Sequence, residues 1–582
     1  MAFLAACLVS APLLPGALAQ GYAPTGTNET GPLSQYKSRP DIYAPAFNIT
    51  IYNEAALTPG YIFIAPYQTF QGGPYIYDNH GNLVYSGFGE TGSGTFHLFH
   101  VCNVKGTDKL CYISGAQNQG YSRGHGVIMD DTLTTWTSVK SGGGGVSNFD
   151  EHEFNIVDDS QNALMIAYVP EQFDLTEWGV STGQGWIMNN YFQKIQLGTN
   201  KLLFEWSAMD HISIDETTVL PNSTEVSGTG FDPTAPWDWF HLNSVDQNAD
   251  GDYLISARHV STIYKISGQD GSVIWRLGGK RSDFTFADGQ KFSFQHDARW
   301  REENATTTII SLFDNASNGY SQTRPYSSGQ ILKLDHTNNS VTILREYIGL
   351  NKMLSASQAN LQLLGPNSAW DQANTFVGWG NNAYISEHLN DGTMVQSGFF
   401  ATTGTMNYRA FKYNYTTNPT DSPALYTFAR TNSSRTVYYM SWNGATRVAS
   451  WRVYGAASRD GPWTAIDVVG KEGFETTFVA PQFHAWALVE SLDADGKAIR
   501  NNSRPIKTFV PGAILASNCD DYECPAANKY VSAAATTSDS PATTASNDVS
   551  TATSSNAVAR RSEQWKVGEM AMVGVGAWLM PS

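Results

Sequence analysis

FHLNSVDQNADGDYLISARHVSTIYKISGQDGSVIWRLGG, from Phe240 to Gly279, is broken by two Asp-Gly pairs, Asp250-Gly251 and Asp270-Gly271. Each pair lies between runs of alternating apolar residues, the strongest short-range signal for a β-hairpin. The segment therefore reads as four short strands, and four strands in about forty residues is the size of one propeller blade. Weaker copies begin near Tyr61, near Phe96, at His152 (HEFNIVDDSQNALMIAYV), at His296 (HDARWREENATTTIISLF) and near Ser368 (SAWDQANTFVGWGNNAYIS). Together they predict an all-β chain with a six-bladed β-propeller over residues 59–418. Met209 to Trp237 reads as an insertion without periodicity.

Beyond Pro419 the pattern changes. TVYYMSW, RVASWRVYG, PWTAIDV, ETTFVA and HAWALVES are short strands at regular spacing, which predicts a small immunoglobulin- or fibronectin-like β-sandwich over 419–511. Trp442, Trp451 and Trp486 are its expected core. At the other end, residues 1–19 carry an uncharged apolar stretch and the small-x-small site Ala17-Leu18-Ala19, the outline of a secretory signal peptide. An N-terminal extension, 20–58, precedes the first blade.

Residues 512–557 read as a disordered Ser/Thr-rich stalk, because such composition cannot bury a core. Ser555-Asn556-Ala557, a polar spacer and an apolar tail within 558–582 form the outline of a GPI-anchor signal, the expected route to any membrane attachment. Secretion or display at the cell surface also fits nine Asn-x-Ser/Thr sequons, at Asn28, Asn48, Asn222, Asn304, Asn315, Asn338, Asn414, Asn432 and Asn501. Cys7 leaves with the signal. The other four Cys form two local pairs, Cys102 with Cys111 and Cys519 with Cys524, expected as disulfides.

With 36 Lys+Arg against 53 Asp+Glu, the net charge of −17 argues against a nucleic-acid partner. Only 15% of residues are charged and 52 are Gly, which suits neither a coiled coil nor a helical bundle.

Three blade segments begin with His: His152, His241 and His296. The first strand of each blade lines the central channel, so these rings are expected to converge at one mouth. Strand alternation puts His241, Asn243 and Val245 on one face, and Leu254, Ser256 and Arg258 on one face of the next strand. Packing alone could place any single His there, but three at equivalent positions beside an Arg favour a site. Arg with His suits an oxyanion better than a cation, so zinc is set aside and no metal or other cofactor is expected. Asp246 to Asp252 opens like a calcium loop but has Ala257 where a bidentate Glu is needed, so it reads as a hairpin turn. His97, His100, His125 and His388 are assigned structural roles.

DWFHLNSVDQNADGDYLISARHVSTIYKIS, VIWRLGG and FSFQHDARW, in this order, resemble the arylsulfotransferase family, most closely its secreted fungal branch; the resemblance spans about Pro59 to Tyr415. It implies transfer of a sulfuryl group from a phenolic sulfate ester to a phenol, without a nucleotide sulfate donor and through a sulfated histidine. By position, His296 matches the nucleophile. His241, Asn243 and Arg258 match the sulfate-binding and acid–base positions, and His152 the remaining channel histidine. The expected partners are a small aromatic sulfate ester and a phenol, whose proton His241 or His152 would take. The apolar approach Phe292 to Gln295 favours a neutral His296, with Asp297 on the opposite face of a regular strand. The sandwich and the short N-terminal extension depart from the bacterial pattern, so dimerisation is not implied. A non-catalytic extracellular propeller that binds a glycan or protein is the alternative. Hydrolysis or elimination on another anion is a third.

Overall fold

Strand pairing follows the hairpin signals of the sequence. Phe240–Gly279 forms one up-and-down sheet of Leu242–Gln247, Tyr253–Ala257, Thr262–Ile266 and Val273–Gly278. Gly251 and Gly271 take φ values of 89° and 75° in its turns, conformations that cost an L-residue side-chain strain. The computed structural model describes residues 27–28 and 31–526, except 89–94, 119, 223–226, 288, 290, 366–368, 401–403 and 501. The signal segment, the Ser/Thr-rich tract from Ala533 and the C-terminal tail lie outside the described residues.

Among the described residues, six sheets of four or five strands follow one another in this manner. The innermost strands of five are Thr95–Val104, Phe154–Val157, Leu242–Gln247, His296–Glu303 and Asn360–Leu363. In the remaining sheet the innermost strand is Phe411–Tyr413, which pairs with Tyr61–Ile64. The end of the propeller sequence thus completes the sheet begun at its start, and each innermost strand packs beside the next around the ring. Two expectations change. Tyr61 lies in the second strand of its sheet, and the last repeat begins at Asn360, upstream of Ser368. Asn48–Tyr52, read as part of an extension, is the outermost strand of the last sheet.

Packing between sheets supplies the core. Leu164, Ile166 and Phe192 meet Leu242, Val245 and Ile255 in one such layer, sealed by the fully buried Trp206, Trp237 and Trp239. The Met209 to Trp237 stretch contributes Ile212, Ile214 and Trp237 to it and so packs as part of the core. Apolar area buried in this way is the main stabilising term, at roughly 25 cal/mol per Å².

The sandwich sets Ala424–Phe428, Val437–Ser441 and Glu475–Val479 against Thr464–Gly470, Ser450–Ala456, Trp486–Leu492 and Ile506–Lys507. Trp451 is fully buried between the sheets and Trp442 nearly so, whereas Trp486 is only partly covered. Asn443 joins this domain to the propeller: its Oδ1 accepts from Ser86 N at 2.9 Å and its Nδ2 donates to Ser86 O at 2.8 Å. The first residues of the expected stalk fold onto the sandwich as a helical turn, Ala513–Ala516, and a loop closed by Cys519–Cys524. Tyr439 Oη donates to the carbonyl of Tyr522 in that loop at 2.9 Å. Cys102 and Cys111 are also bridged. Among the described residues no helix is long and apolar enough to cross a membrane.

Candidate active site

Five rings at or just before the innermost strands, those of His97, His152, His241, His296 and Tyr408, gather in one cluster, and a local device recurs at three of them. After His97, Leu98 has a φ of 58°, and after His296, Asp297 has a φ of 58°. In both strands a bulge follows: His97 pairs with Ile113 and His100 with Cys111, just as His296 pairs with Phe313 and Arg299 with Ser311. His241 itself has a φ of 57°, and the ladder slips between Leu242 and Ser244. Left-handed backbone costs a non-glycine residue about 1–2 kcal/mol and persists where the surroundings impose it, often at functional sites.

These bulges overturn the regular alternation expected from sequence. Leu242 and Val245 enter the same core layer, and Asn243 is fully buried at the slip. Asn243 Nδ2 donates to the carbonyl of Gln295 at 2.8 Å, linking two sheets, while its buried Oδ1 has no hydrogen-bond partner.

His152, His241 and His296 do converge. The rings of His152 and His241 are 4.8 Å apart, and those of His241 and His296 are 6.4 Å apart. Tyr408 lies among them, 5.0 Å from His152 and 6.4 Å from His296. Arg258 reaches the same place: Nη1 donates to His259 Nε2 at 2.8 Å and Nη2 to the carbonyl of Ala356 at 3.0 Å. All are at most 5% exposed. His97, assigned a structural role from sequence, stands in the same ring with its imidazole 6.3 Å from Tyr408.

The hydrogen-bond partners of these rings separate them chemically. His152 Nδ1 is bonded to Asp150, His241 Nδ1 meets Asp238 Oδ2 at 2.5 Å, and His97 Nε2 meets Glu151 Oε2 at 2.7 Å. His296 differs in having an amide in place of a carboxylate against its ring: its Nδ1–H donates to Asn315 Oδ1 at 2.7 Å. The Asn315 amide is oriented by donating to the carbonyls of Ser355 at 2.8 Å and Gln358 at 3.1 Å, so the proton of His296 belongs on Nδ1. Nε2 keeps its lone pair and accepts the backbone N–H of Gln358 at 3.2 Å. Burial, then the neighbouring Arg258 and His241, holds His296 well below the usual histidine range. Burial and the charges of His152 and Arg258 do the same to His241. For His152, burial is outweighed by Asp150, Glu151 and Asp238, which hold it above its ordinary value.

Asn315 belongs to a sequon, but it is fully buried and its amide is engaged, so the folded protein has no room for a glycan there. Asp297 faces away from His296, through the left-handed turn at its own Cα. It accepts from Arg299 Nε at 2.9 Å and from Leu361 N at 2.9 Å. Below the mouth, Arg409 ties three strand heads together: Nη1 lies 3.3 Å from Glu153 and 3.5 Å from Asp297, and Nη2 donates to Asn243 O at 2.9 Å.

Ser355 to Ala359 lies across the mouth with left-handed φ values of 65° at Gln358 and 91° at Ala359. Gly380 allows its close approach, since a Cβ there would lie 2.4 Å from the carbonyl of Ser357. Ala356 also lines a cavity of about 310 Å³ with Tyr320, Gln322, Leu354, Asn381 and Asn382.

Asp238, His241 and His259 form the metal-compatible cluster among the described residues. The tautomer of His259 argues against an ion: Nε2 accepts from Arg258, so the proton sits on Nδ1, which donates to the carbonyl of Asp238. In the calcium-like stretch, Asp246 accepts from Trp300 N at 3.0 Å and Asp252 pairs with Lys265 at 3.3 Å, as a hairpin requires.

The family model described as arylsulfotransferase (ASST) matches residues 100–401. No curated protein matches the chain. Among solved structures, a Bacteroides caccae protein of unknown function is 9% identical, with 62% of this chain and 100% of that chain covered at a TM-score of 0.35. A Lactobacillus plantarum protein is 10% identical, covering 78% and 97% at 0.29. An oligogalacturonate lyase in complex with manganese is 10% identical, covering 64% and 98% at 0.27. None of these scores reaches 0.5, and the fold rests on the sheet order itself.

Proposed function

This chain belongs to the arylsulfotransferase (ASST) family, and on that premise we propose that it moves a sulfuryl group from a phenolic sulfate ester to a phenol without a nucleotide sulfate donor, through a sulfated His296. The observation that carries this reading is the amide-backed tautomer of His296. A carboxylate behind an imidazole favours its protonated form, whereas Asn315 accepts the Nδ1–H and adds no charge. His296 is therefore the buried ring best kept neutral with a lone pair on Nε2, which is what a nitrogen nucleophile needs.

Sulfuryl transfer spreads negative charge over three oxygens, much as phosphoryl transfer does. Arg258 and protonated His152 bring positive charge to that position, and His241 flanks it between them. The Gln358 N–H now aimed at Nε2 would meet a sulfuryl oxygen once the group is attached. Ala356 joins Arg258 to the neighbouring cavity, an approach for a flat aromatic ester once Ser355 to Ala359 gives way. Two disulfides, as well as the signal-like leader, support action outside the cell or at its surface.

The test is to mix the purified protein with a chromogenic aryl sulfate, with and without added phenol. Release that depends on the acceptor is expected. Release that ignores the acceptor would mean hydrolysis, and none across a broad panel would favour a binding protein.

The pH dependence is equally specific. His296 stays neutral well below pH 6.5, so enzyme sulfation measured in a single turnover should persist at about pH 5. It should fall on the alkaline side, as His152 loses its proton above its elevated pKa. An acid limb at the ordinary histidine value would contradict the assignment of the nucleophile.

A further inference from the structure

Glu151 and His97 form a buried carboxylate–imidazole pair that the transfer scheme leaves unused. The segment Asp150-Glu151-His152-Glu153 distributes its carboxylates: Asp150 to His152, Glu151 to His97, and Glu153 to Arg299 and Arg409. His97 is thus wired to the same turn as a ring of the candidate site.

Its tautomer follows from its partners. Gln117 Nε2 donates to Glu151 Oε1 at 3.0 Å, which fixes Gln117 Oε1 as an acceptor. His97 Nε2 lies 2.7 Å from that oxygen and 2.7 Å from Glu151 Oε2, so it carries the proton. Nδ1 is left with its lone pair, buried and without a hydrogen-bond partner. The ring stands edge-on to Tyr67 at 4.8 Å and to Tyr408 at 6.3 Å, with Phe96, Leu98 and Phe99 buried beside it in sequence. A hydrophobe would fill this position without leaving a polar nitrogen unpaired.

The place of His97 in the ring gives the nitrogen a use. His97 and His296 share one bulge geometry, and two sheets separate theirs in either direction along the chain and its closing pair Phe411–Tyr413 with Tyr61–Ile64, so a ring of these sheets sets the two residues opposite each other. A displacement at sulfur runs in line, so the phenolic oxygen enters and leaves on the side away from His296. A base that reaches this oxygen stands roughly 7–8 Å from the nucleophilic nitrogen. His241, with its ring 6.4 Å from that of His296 in the adjacent sheet, is to one side.

Resting on the sulfotransfer reading, we infer that His97, backed by Glu151, is the acid–base residue for the phenolic oxygen. In the first half-reaction His296 Nε2 forms the N–S bond. The S–O ester bond breaks with its electron pair going to the phenolic oxygen, which takes a proton that His97 Nδ1 has first accepted from solvent, and His97 returns to the neutral tautomer with its proton on Nε2. In the second, the acceptor oxygen bonds to sulfur, its proton passes to His97 Nδ1, and the N–S electron pair returns to His296. Glu151 stabilises the imidazolium that opens the first half-reaction and closes the second, and between the two His97 is neutral with a free Nδ1 lone pair. Burial alone would raise the Glu151 carboxyl, yet His97 and His152 hold it below its ordinary value.

The test compares enzyme sulfation by two donors, 4-nitrophenyl sulfate and phenyl sulfate. An electron-poor phenolate leaves with little help, whereas the unsubstituted one needs its proton. In His97→Leu the phenyl sulfate rate should fall about 100-fold and the nitrophenyl rate only a few-fold. Glu151→Gln, nearly isosteric, should show the same contrast to a smaller degree and carries the test if His97→Leu does not fold. Equal losses with both donors, or no loss with phenyl sulfate, would overturn the inference while leaving sulfotransfer intact. Wild-type protein that neither donor sulfates would overturn the parent reading and this one with it.

Discussion

His296→Asn is expected to abolish both half-reactions, with turnover reduced by roughly four orders of magnitude or more. Asparagine can neither form the N–S bond nor leave from it, and no other ring at the mouth matches His296. The rings of His152 and His241 each bond a carboxylate, and His97 Nε2 lies 2.7 Å from that of Glu151. His241→Asn and Arg258→Ala should slow the reaction by about 10²–10³-fold and leave the modified residue unchanged, because they act on charge and orientation around sulfur. Steady-state rates with an aryl sulfate and a phenol check both statements. Substantial turnover in His296→Asn would remove the covalent mechanism.

The largest expected effect on stability is at the closure of the ring. Lys412, in the closing strand Phe411–Tyr413, pairs with Glu387 in the last sheet at 2.6 Å, and both side chains are fully buried. Glu387 also accepts from Thr58 N and Asn374 Nδ2, each at 2.8 Å. Lys412→Met should cost about 3–5 kcal/mol, because a carboxylate built into that network would be left buried without its cation. The double variant Lys412→Met/Glu387→Leu should recover much of that loss, since apolar residues can replace a buried pair at little net cost. Equilibrium denaturation of the two variants checks the ordering. A single variant as stable as the parent would mean that closure does not depend on this pair.

The hairpins were readable because Asp-Gly turns and alternating apolar residues are local signals, as Asp250-Gly251 and Asp270-Gly271 demonstrate. The closing strand was not, because Phe411–Tyr413 pairs with Tyr61–Ile64 some 350 residues away and its three residues have no pattern of their own. Strand-head histidines could be read where they opened a recognisable repeat. His97 could have been found too: Phe96-His97-Leu98 repeats Phe240-His241-Leu242. What no periodicity discloses is the bulge beside His97, His241 and His296, since Leu98, His241 and Asp297 carry left-handed backbone without a glycine to mark it. The alternation argument at Asn243 failed for that reason. Asn315, which fixes the tautomer of His296, had only the appearance of a glycosylation sequon.

The most direct measurement is to incubate the protein with an aryl sulfate in the absence of acceptor, digest it, and locate the sulfate by peptide mass spectrometry. The peptide containing His296 should carry one labile sulfate that is lost when a phenol is added before digestion. Sulfate on His241 or His152, or a His296 peptide that is never modified while acceptor-dependent turnover proceeds, would contradict the account.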